Sequence, residues 1–477
     1  MPRITPPADL LPTRQLAEQA FSRAAGAPLS TGNHIELLID AQANFEAWLE
    51  AIASARQHIL LENYMVRDDD NGQRFLVALA DKARQGVKVT VIRDWLGCLG
   101  QSGERFWKPL VAAGGEVRTY NRFQLDSPLG WVSRDHRKML AVDNRIGFLS
   151  GVCLSGKWLG DAARGIEPWR DTGVAVQGPA VADLEFAFAD IWDGLGDPLD
   201  SAVLCSPDDI AAAGEVSLRI IATEPQTASV YRLDQLIAAM ASQSLWLTDA
   251  YFVGVAPYSQ SLAAAARDGV DVRLLVPGSS DVPMAAALSR SGYRPLLEAG
   301  VRVFEWQGSM LHAKTAVADG RWARVGSSNL NLSSWVGNCE LDVAVEDKAF
   351  AERMQQQYLS DLEHSTEVVL PRGRRVRIRR AHRTRRGTGS TSRAAAGAAR
   401  LARSMRAVLT NHRELGHAEA GVMLVAGSIL LGVSVLALIW PYLIAIPLIA
   451  LALWLSVSLL LRAHRVYRKE KENDTRE

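Results

Sequence analysis

Cysteine is scarce in this sequence: four in 477 residues, at Cys98, Cys153, Cys205 and Cys339. They form no CxxC pair and no His/Cys spacing suited to zinc, which argues against a disulfide framework and a structural metal site. Scattered single thiols fit a reducing compartment. The first residues, Met1-Pro2-Arg3-Ile4-Thr5-Pro6-Pro7, hold no apolar core of signal-peptide length, so the region that follows is expected to be cytosolic. Two longer stretches lack charge of one sign or of both. Residues 372–413 contain fourteen arginines but no Asp, Glu or Lys, and residues 421–461 contain no charged side chain at all.

The formal net charge of +1 hides this unevenness. Residues 414–477 balance six basic against six acidic side chains, so the first 371 residues carry 33 basic and 46 acidic, a net of −13. An acidic body is a poor match for nucleic acid. The arginine block could still bind it, or could be a solvated linker, as Gly387-Thr388-Gly389-Ser390-Thr391-Ser392 indicates locally. Beside anionic lipid each basic residue is worth about 1 kcal/mol, and Arg400, Arg403 and Arg406 with Leu401, Met405 and Val408 fit a basic amphipathic helix. As one helix, the 41 uncharged residues would extend roughly 60 Å, about twice a hydrocarbon core. Trp440-Pro441-Tyr442 interrupts them near the middle, so two spans of about 20 residues are expected. Both flanks are basic, which puts both ends of the hairpin in the cytoplasm. The alternative is a buried helical pair in a soluble domain.

What the chain does have is a pattern that occurs twice. His136-Arg137-Lys138 is followed by Asp143, and His312-Ala313-Lys314 by Asp319, both reading HxKxxxxD. In a strand, residues i and i+2 share a face, so His136 and Lys138 project together, as do His312 and Lys314. Apolar runs follow (Met139 to Val142; Thr315 to Ala318), and then turns at Asp143-Asn144 and Asp319-Gly320. The two aspartates are candidates for the catalytic set, although the turn signal favours a structural role. Ser150-Gly151-Val152-Cys153 and Gly326-Ser327-Ser328-Asn329 follow at equal offsets. Two histidines and two lysines in one site suit phosphodiester chemistry.

The repeat extends upstream. Ile59 to Tyr64, a helix ending at Gly86 and the strand after Val87 precede the first motif; Leu245 to Phe252, a helix ending at Gly269 and the strand after Val270 precede the second. Both Gly-Val-x-Val junctions read as helix C-caps leading into strands. The fold class is therefore α/β: two fused halves, each a mixed sheet flanked by helices, related by a pseudo-two-fold axis that brings the histidines together. No dimer is required for chemistry, and the oligomeric state is left open. Phe45, Trp48, Leu49 and Ile52 fit the core face of a helix. Asp68-Asp69-Asp70-Asn71-Gly72 resembles a calcium loop but has Leu79 where the closing glutamate belongs, so a turn is expected. His34, His58 and His382 read as structural or surface residues.

The paired motifs resemble those of the phospholipase D superfamily. Glu62-Asn63-Tyr64, Ser133 to Lys138, Trp169-Arg170-Asp171-Thr172, Gly178-Pro179-Ala180 and Asn338-Cys339-Glu340-Leu341 resemble the bacterial cardiolipin synthase branch, from about Asn33 to Val369. The resemblance implies two phospholipase D-like halves and no metal or cofactor. It implies phosphatidyl transfer between two phosphatidylglycerols with release of glycerol, through a phosphohistidine. His136 would be the nucleophile and His312 the acid/base, with the reverse left open by the symmetry. Lys138 and Lys314 would neutralise the phosphoryl oxygens, and Ser150, Ser327 and Asn329 would support the site. Asp171 and Glu340, 35 and 28 residues after the histidines of their own halves, would each accept a hydrogen bond from that same histidine and fix its tautomer; a surface pair of Asp171 with Arg170 and a solvated edge position for Glu340 are the alternatives. Cys153 stands where the family usually has Asn, a weaker donor, and reads as a small buried thiol.

The expected layout is an N-terminal segment (1–32), halves at 33–200 and 201–371, a polybasic linker (372–417), a two-span transmembrane hairpin (418–462) and a charged cytoplasmic tail (463–477). The place implied is the bacterial inner membrane, with the catalytic region in the cytoplasm and phospholipids as partners. A phospholipase D hydrolase, or a transphosphatidylase using another donor or acceptor such as phosphatidylethanolamine, shares every one of these residues. A nuclease is the third class, and the acidic body and the hairpin argue against it.

Overall fold

The computed structural model describes residues 11–122 and 133–370, together with scattered helical positions between 428 and 460. The chain opens with helix α1 (Leu11–Ala25). The first half then runs β1 (Ser30–Ile39), α2 (Asp40–Ser54), β2 (His58–Asn63), α3 (Asp70–Arg84), β3 (Lys88–Asp94), α4 (Glu104–Ala112), β4 (Glu116–Tyr120), β5 (Lys138–Val142), β6 (Ile146–Ser150), β7 (Thr172–Gln177) and α5 (Ala180–Asp193). The second half repeats the order. It runs β8 (Val216–Thr223), α6 (Ser229–Met240), β9 (Ser244–Thr248), α7 (Ala256–Arg267), β10 (Asp271–Pro277), α8 (Pro283–Ser291), α9 (Tyr293–Ala299), β11 (Arg302–Trp306), β12 (Thr315–Ala318), β13 (Trp322–Gly326), β14 (Glu340–Val345), α10 (Lys348–Glu363) and β15 (Ser365–Val368).

Local chemistry explains the repeated units. After α3 and α7 the chain reverses at Gly86 and Gly269, both at strongly positive φ (88° and 97°), a conformation that glycine alone adopts without cost. Asp69 caps α3 by accepting from the Gly72 backbone N–H at 3.0 Å, so the acidic stretch read as a turn is a helix start. Each motif hairpin turns on two consecutive residues at positive φ, Asp143-Asn144 and Asp319-Gly320, as a type I′ turn requires. On α2, Phe45, Trp48 and Ile52 are buried in the core, at helical spacing.

Each half holds a mixed sheet, as expected, and the strand order shows that the two are joined edge to edge. Among the described residues all fifteen strands form one sheet, β15-β11-β10-β9-β12-β13-β14-β8-β1-β7-β6-β5-β2-β3-β4. Within each half three strands are parallel (β2, β3, β4; β9, β10, β11) and the rest antiparallel. The seam is the antiparallel β1–β8 pair, where Ser30 opposes Leu218 and Asn33 opposes Val216 across a bulge. Joining there leaves neither half with an open strand edge at the centre. A core cluster containing Ile35, Leu60 and Met139 from one half and Leu218, Val317 and Val343 from the other packs across the seam, so the halves are held as one body.

The polybasic linker, the Arg400–Arg406 segment, the charged tail and most of the expected hairpin lie outside the described residues. Residues 431–439 are helical, and the helix breaks at Trp440. Leu438, Ile439, Tyr442, Ile446 and Leu460 are exposed. Among the described residues no helix is long and apolar enough to cross a membrane.

Candidate active site

His136 lies two residues before β5 and His312 three residues before β12. Each motif is held by the other half. The His136 N–H donates to the Cys339 carbonyl (2.8 Å) and the Cys339 N–H to the Arg134 carbonyl (2.8 Å). Likewise the His312 N–H donates to Arg170 (2.7 Å) and the Arg170 N–H to Met310 (2.9 Å). The residue after Cys339 is Glu340 and the residue after Arg170 is Asp171, so this lacing delivers each carboxylate to the opposite histidine.

Glu340 Oε2 lies 2.8 Å from His136 Nδ1, and Asp171 Oδ2 lies 2.8 Å from His312 Nδ1. Both carboxylates are fully buried. The expectation that each would serve the histidine of its own half is therefore corrected: the partners are exchanged across the pseudo-two-fold axis, because the lead-in segments pair between halves rather than within them. The alternatives fall away as well. Arg170 is buried and grips Asp361 with two hydrogen bonds of 2.8 and 2.9 Å, and Glu340 belongs to a central strand.

Burial and charge set the protonation states. Burial pulls both imidazoles down to about 4; Glu340 and Asp171 oppose this, and both lysines reinforce it. Burial pushes Asp171 up, but His312, Lys314 and Trp158 together bring it down to about 2. Glu340 is likewise lowered, its burial outweighed by His136, Lys138 and Ser327. At neutral pH the site thus holds two ionised carboxylates and two neutral imidazoles. An ionised carboxylate only accepts, so Nδ1 carries the proton and Nε2 keeps its lone pair. Lys138 and Lys314 are each 1 % exposed, and Lys314 Nζ lies against the His312 ring, 2.9 Å from Nδ1 and 3.2 Å from Nε2. Burial lowers Lys314 to about 8, Asp171 resists and Lys138 assists. Each lysine ammonium donates to the backbone carbonyl of its own histidine, and two buried cations held behind two histidines that line one cavity suit an anionic phosphodiester.

A cavity of about 510 Å³ opens over both histidines. Asn329 and Cys153 line it from equivalent positions. The Asn329 Oδ1 is buried without a partner, and burial pushes the Cys153 thiol up to about 11, an inert state. Ser327 donates to Glu340 Oε2 at 2.6 Å. Ser150 instead accepts from the Val152 N–H at 3.0 Å and serves its own turn.

Asp143 and Asp319 are not brought to the site. Each follows its five- or four-residue strand, at the far end from its histidine. The Asp143 carboxylate accepts from the N–H groups of Arg56, Gln57 and His58 at 2.8 to 2.9 Å. Asp319 does the same for Ser242, Gln243 and Ser244, at 2.8 to 3.2 Å. Both pin the start of the neighbouring strand, β2 or β9.

The sequence pointed to no role for the cavity's aromatic wall. Tyr64 packs on His136 (4.9 Å between centroids), while Trp158, Trp169 and Tyr251 surround His312 at 5.1, 5.7 and 5.8 Å. Tyr64 and Tyr251 could have been noticed as aromatics shortly after corresponding strands, one residue past β2 and three past β9; in the second copy Trp335 lies on the corresponding short turn, but its indole N–H is buried without a partner.

Comparison with known proteins bears on the lineage. The family described as "Cardiolipin synthase, PLD-like domain" matches residues 48–162 and 234–362. Cardiolipin synthase A of Pseudomonas aeruginosa is 32% identical over 370 residues, covering 75% of this chain and 73% of that protein. The chain belongs to the cardiolipin synthase family of phospholipase D-like proteins. A second family member, the cardiolipin synthase of Alkalihalophilus pseudofirmus, is 31% identical over 346 residues, covering 72% of this chain and 68% of its own. The fold of this cardiolipin synthase family member is shared by the phosphatidylserine synthase of Haemophilus influenzae. That crystal structure aligns with a TM-score of 0.57 at 14% identity over 73% of this chain and 91% of the other.

Proposed function

We propose that this chain is a membrane-bound cardiolipin synthase that transfers a phosphatidyl group from one phosphatidylglycerol to another and releases glycerol. The observation that carries the reading is that both buried His–carboxylate dyads open on one cavity, each histidine with a buried lysine bonded to its backbone carbonyl. In the proposed sequence His136 Nε2 attacks the donor phosphorus and its bond to the glycerol oxygen breaks. His312 gives that oxygen a proton, a contribution typically of 10²–10⁴-fold. His312 then takes the proton of the incoming hydroxyl, whose oxygen displaces His136. A bound phosphodiester anion offsets the lysine charges that hold the imidazolium form down, so His312 gains proton affinity when substrate is present. Splitting one displacement into two is the gain of a covalent intermediate.

The membrane part of the proposal rests on the uncharged residues 421–461 and the arginine-rich stretch before them. We assign 33–200 and 201–371 to the catalytic halves, 372–417 to a lipid-facing linker, 418–462 to a transmembrane hairpin and 463–477 to a cytoplasmic tail, at the bacterial inner membrane. The test is lipid mass spectrometry after mixing purified full chain with phosphatidylglycerol vesicles, beside His136→Ala and His312→Ala. Cardiolipin with free glycerol, absent from both variants, is expected. Phosphatidic acid without cardiolipin would make the protein a hydrolase, and no product from phosphatidylglycerol with or without phosphatidylethanolamine would overturn the transferase reading.

A further inference from the structure

The two dyads are equivalent in geometry but not in what supports them. Ser327 stands fifteen residues after His312, and its hydroxyl donates to Glu340 Oε2, the same oxygen that holds His136. The residue fifteen after His136 is Gly151. The correspondence is structural as well: the Gly151 N–H donates to the Thr172 carbonyl (3.2 Å) and the Ser327 N–H to the Leu341 carbonyl (3.0 Å), each the residue just after the dyad carboxylate. A side chain cannot stand at Gly151, because a Cβ there would come within 2.2 Å of Asp171 Oδ1. The first half therefore has no hydroxyl to give Asp171.

The missing donor comes from elsewhere. Trp158 sits on a short 3-10 turn (Gly156–Leu159) and is 2 % exposed. Its indole N–H donates to Asp171 Oδ2 at 2.8 Å, the oxygen that also holds His312 Nδ1. The same ring meets the His312 ring edge-on, 5.1 Å between centroids at 87°. Trp169 backs it at 4.6 Å and donates its backbone N–H to the Trp158 carbonyl at 3.1 Å, which fixes the indole in place. With the Thr172 N–H on Oδ1 (2.8 Å), the donors leave the carboxylate little freedom to rotate away from His312.

We propose that Trp158 is the positioning residue of the His312 dyad, replacing in the first half the hydroxyl that Ser327 supplies to the His136 dyad. Trp158 acts through Asp171 on His312. This makes the two histidines unequal. His136 is oriented by a carboxylate bonded to a small hydroxyl, whereas His312 is oriented by one locked under an aromatic wall. The inference concerns orientation of a side chain and rests on the proposed chemistry only for its kinetic consequence.

The test is NMR titration of isotopically labelled histidine in the full chain in detergent, with His136 and His312 assigned by substitution to Gln. Trp158→Phe keeps the ring packing and removes the donor. Asp171 then shares its charge with one donor fewer, so the apparent pKa of His312 is expected to rise while that of His136 stays. Ser327→Ala should give the mirror result, moving His136 alone. In Trp158→Phe, kcat on phosphatidylglycerol should fall roughly tenfold or more, the value of a hydrogen bond to a charged group, with KM within about twofold. Trp158→His, which restores a ring N–H, should recover part of the loss. An unchanged His312 titration in Trp158→Phe would overturn the proposal. So would equal movement of both histidines, which would mark Trp158 as a packing residue. Because the titration needs no turnover, it separates failure of this inference from failure of the transferase reading.

Discussion

Glu340 and His136 stand 204 residues apart in the chain and belong to different halves, yet their Oε2 and Nδ1 atoms lie 2.8 Å apart. Neither half contains a complete dyad. Glu340→Gln keeps the shape of the side chain but can no longer stabilise an imidazolium, and it can offer the wrong hydrogen bond to Nδ1. A loss in kcat of about 10²- to 10⁴-fold is expected, the range in which acid–base groups and their orienting partners act. Residues that work as a unit are not additive. His136→Ala combined with Glu340→Gln should therefore be no slower than His136→Ala alone. Additive losses in the double variant would mean that Glu340 serves the site by some other route.

Protonation of the same groups should set the acid stability of the fold. Burial lowers both His136 and His312 to about 4, against an unfolded value of about 6.5. Between these values the unfolded chain binds protons that the folded chain refuses, so stability falls as pH is lowered, by about 1.4 kcal/mol per pH unit per histidine. Asp171 acts in the same direction only further down: its depressed pKa of about 2 stabilises the fold above the unfolded carboxylate value of about 3.9 and is lost as pH falls below it. Denaturant titrations at pH 7, 6 and 5 should show the slope, and His312→Gln should flatten it by one histidine's share. A slope unaltered in that variant would place the proton uptake elsewhere.

Asp143 and Asp319 belong to stability rather than to chemistry. Each accepts three backbone N–H groups at the start of the neighbouring strand. Asp143→Ala leaves those donors to water or unpaired, at a cost of about 1–3 kcal/mol. In a body of this size that is a drop in Tm of roughly 2–10 °C. The kcat of the folded variant should stay within about twofold of the parent. A loss of kcat without a loss of Tm would return the aspartate to the catalytic set.

Much of this was legible in the sequence where the signal is local. The HxKxxxxD spacing, the Gly-Val junctions at Gly86 and Gly269 and the turn pairs Asp143-Asn144 and Asp319-Gly320 each encode a conformation within a few residues. What sequence could not carry was pairing between distant segments. Asp171 and Glu340 follow the histidines of their own halves by similar intervals, and an offset is the same whether the bond forms within a half or between halves. The exchange arises because the lead-in segments pair across the pseudo-two-fold axis (Asp135 with Cys339, Arg170 with Leu311). Trp158 was hidden for a related reason. Its role depends on what Gly151 excludes, and that exclusion exists only once Asp171 is packed against it. The β1–β8 seam is likewise invisible, since either strand alone reads as an ordinary edge.

The mouth of the cavity carries apolar side chains that the catalytic groups do not explain. Leu332 is 61 % exposed and Val282 43 % exposed, and both line the cavity; Val336, 42 % exposed, follows Leu332 by one helical turn on the same face. Lys157, also lining the cavity, is exposed beside them. For a lipid to reach His136 its headgroup must leave the bilayer plane, and a rim that enters the headgroup region shortens that path. Seating a leucine in the acyl boundary is worth about 1.5–3 kcal/mol, or roughly a 10- to 150-fold change in vesicle affinity. Leu332→Glu should therefore weaken binding to phosphatidylglycerol vesicles and slow turnover on them by at least about tenfold. On a monomeric short-chain phosphatidylglycerol, which needs no bilayer contact, its rate should stay within about twofold of the parent. Equal losses on both substrates would put Leu332 in the headgroup pocket itself, and no loss on vesicles would remove this rim from the membrane-facing surface.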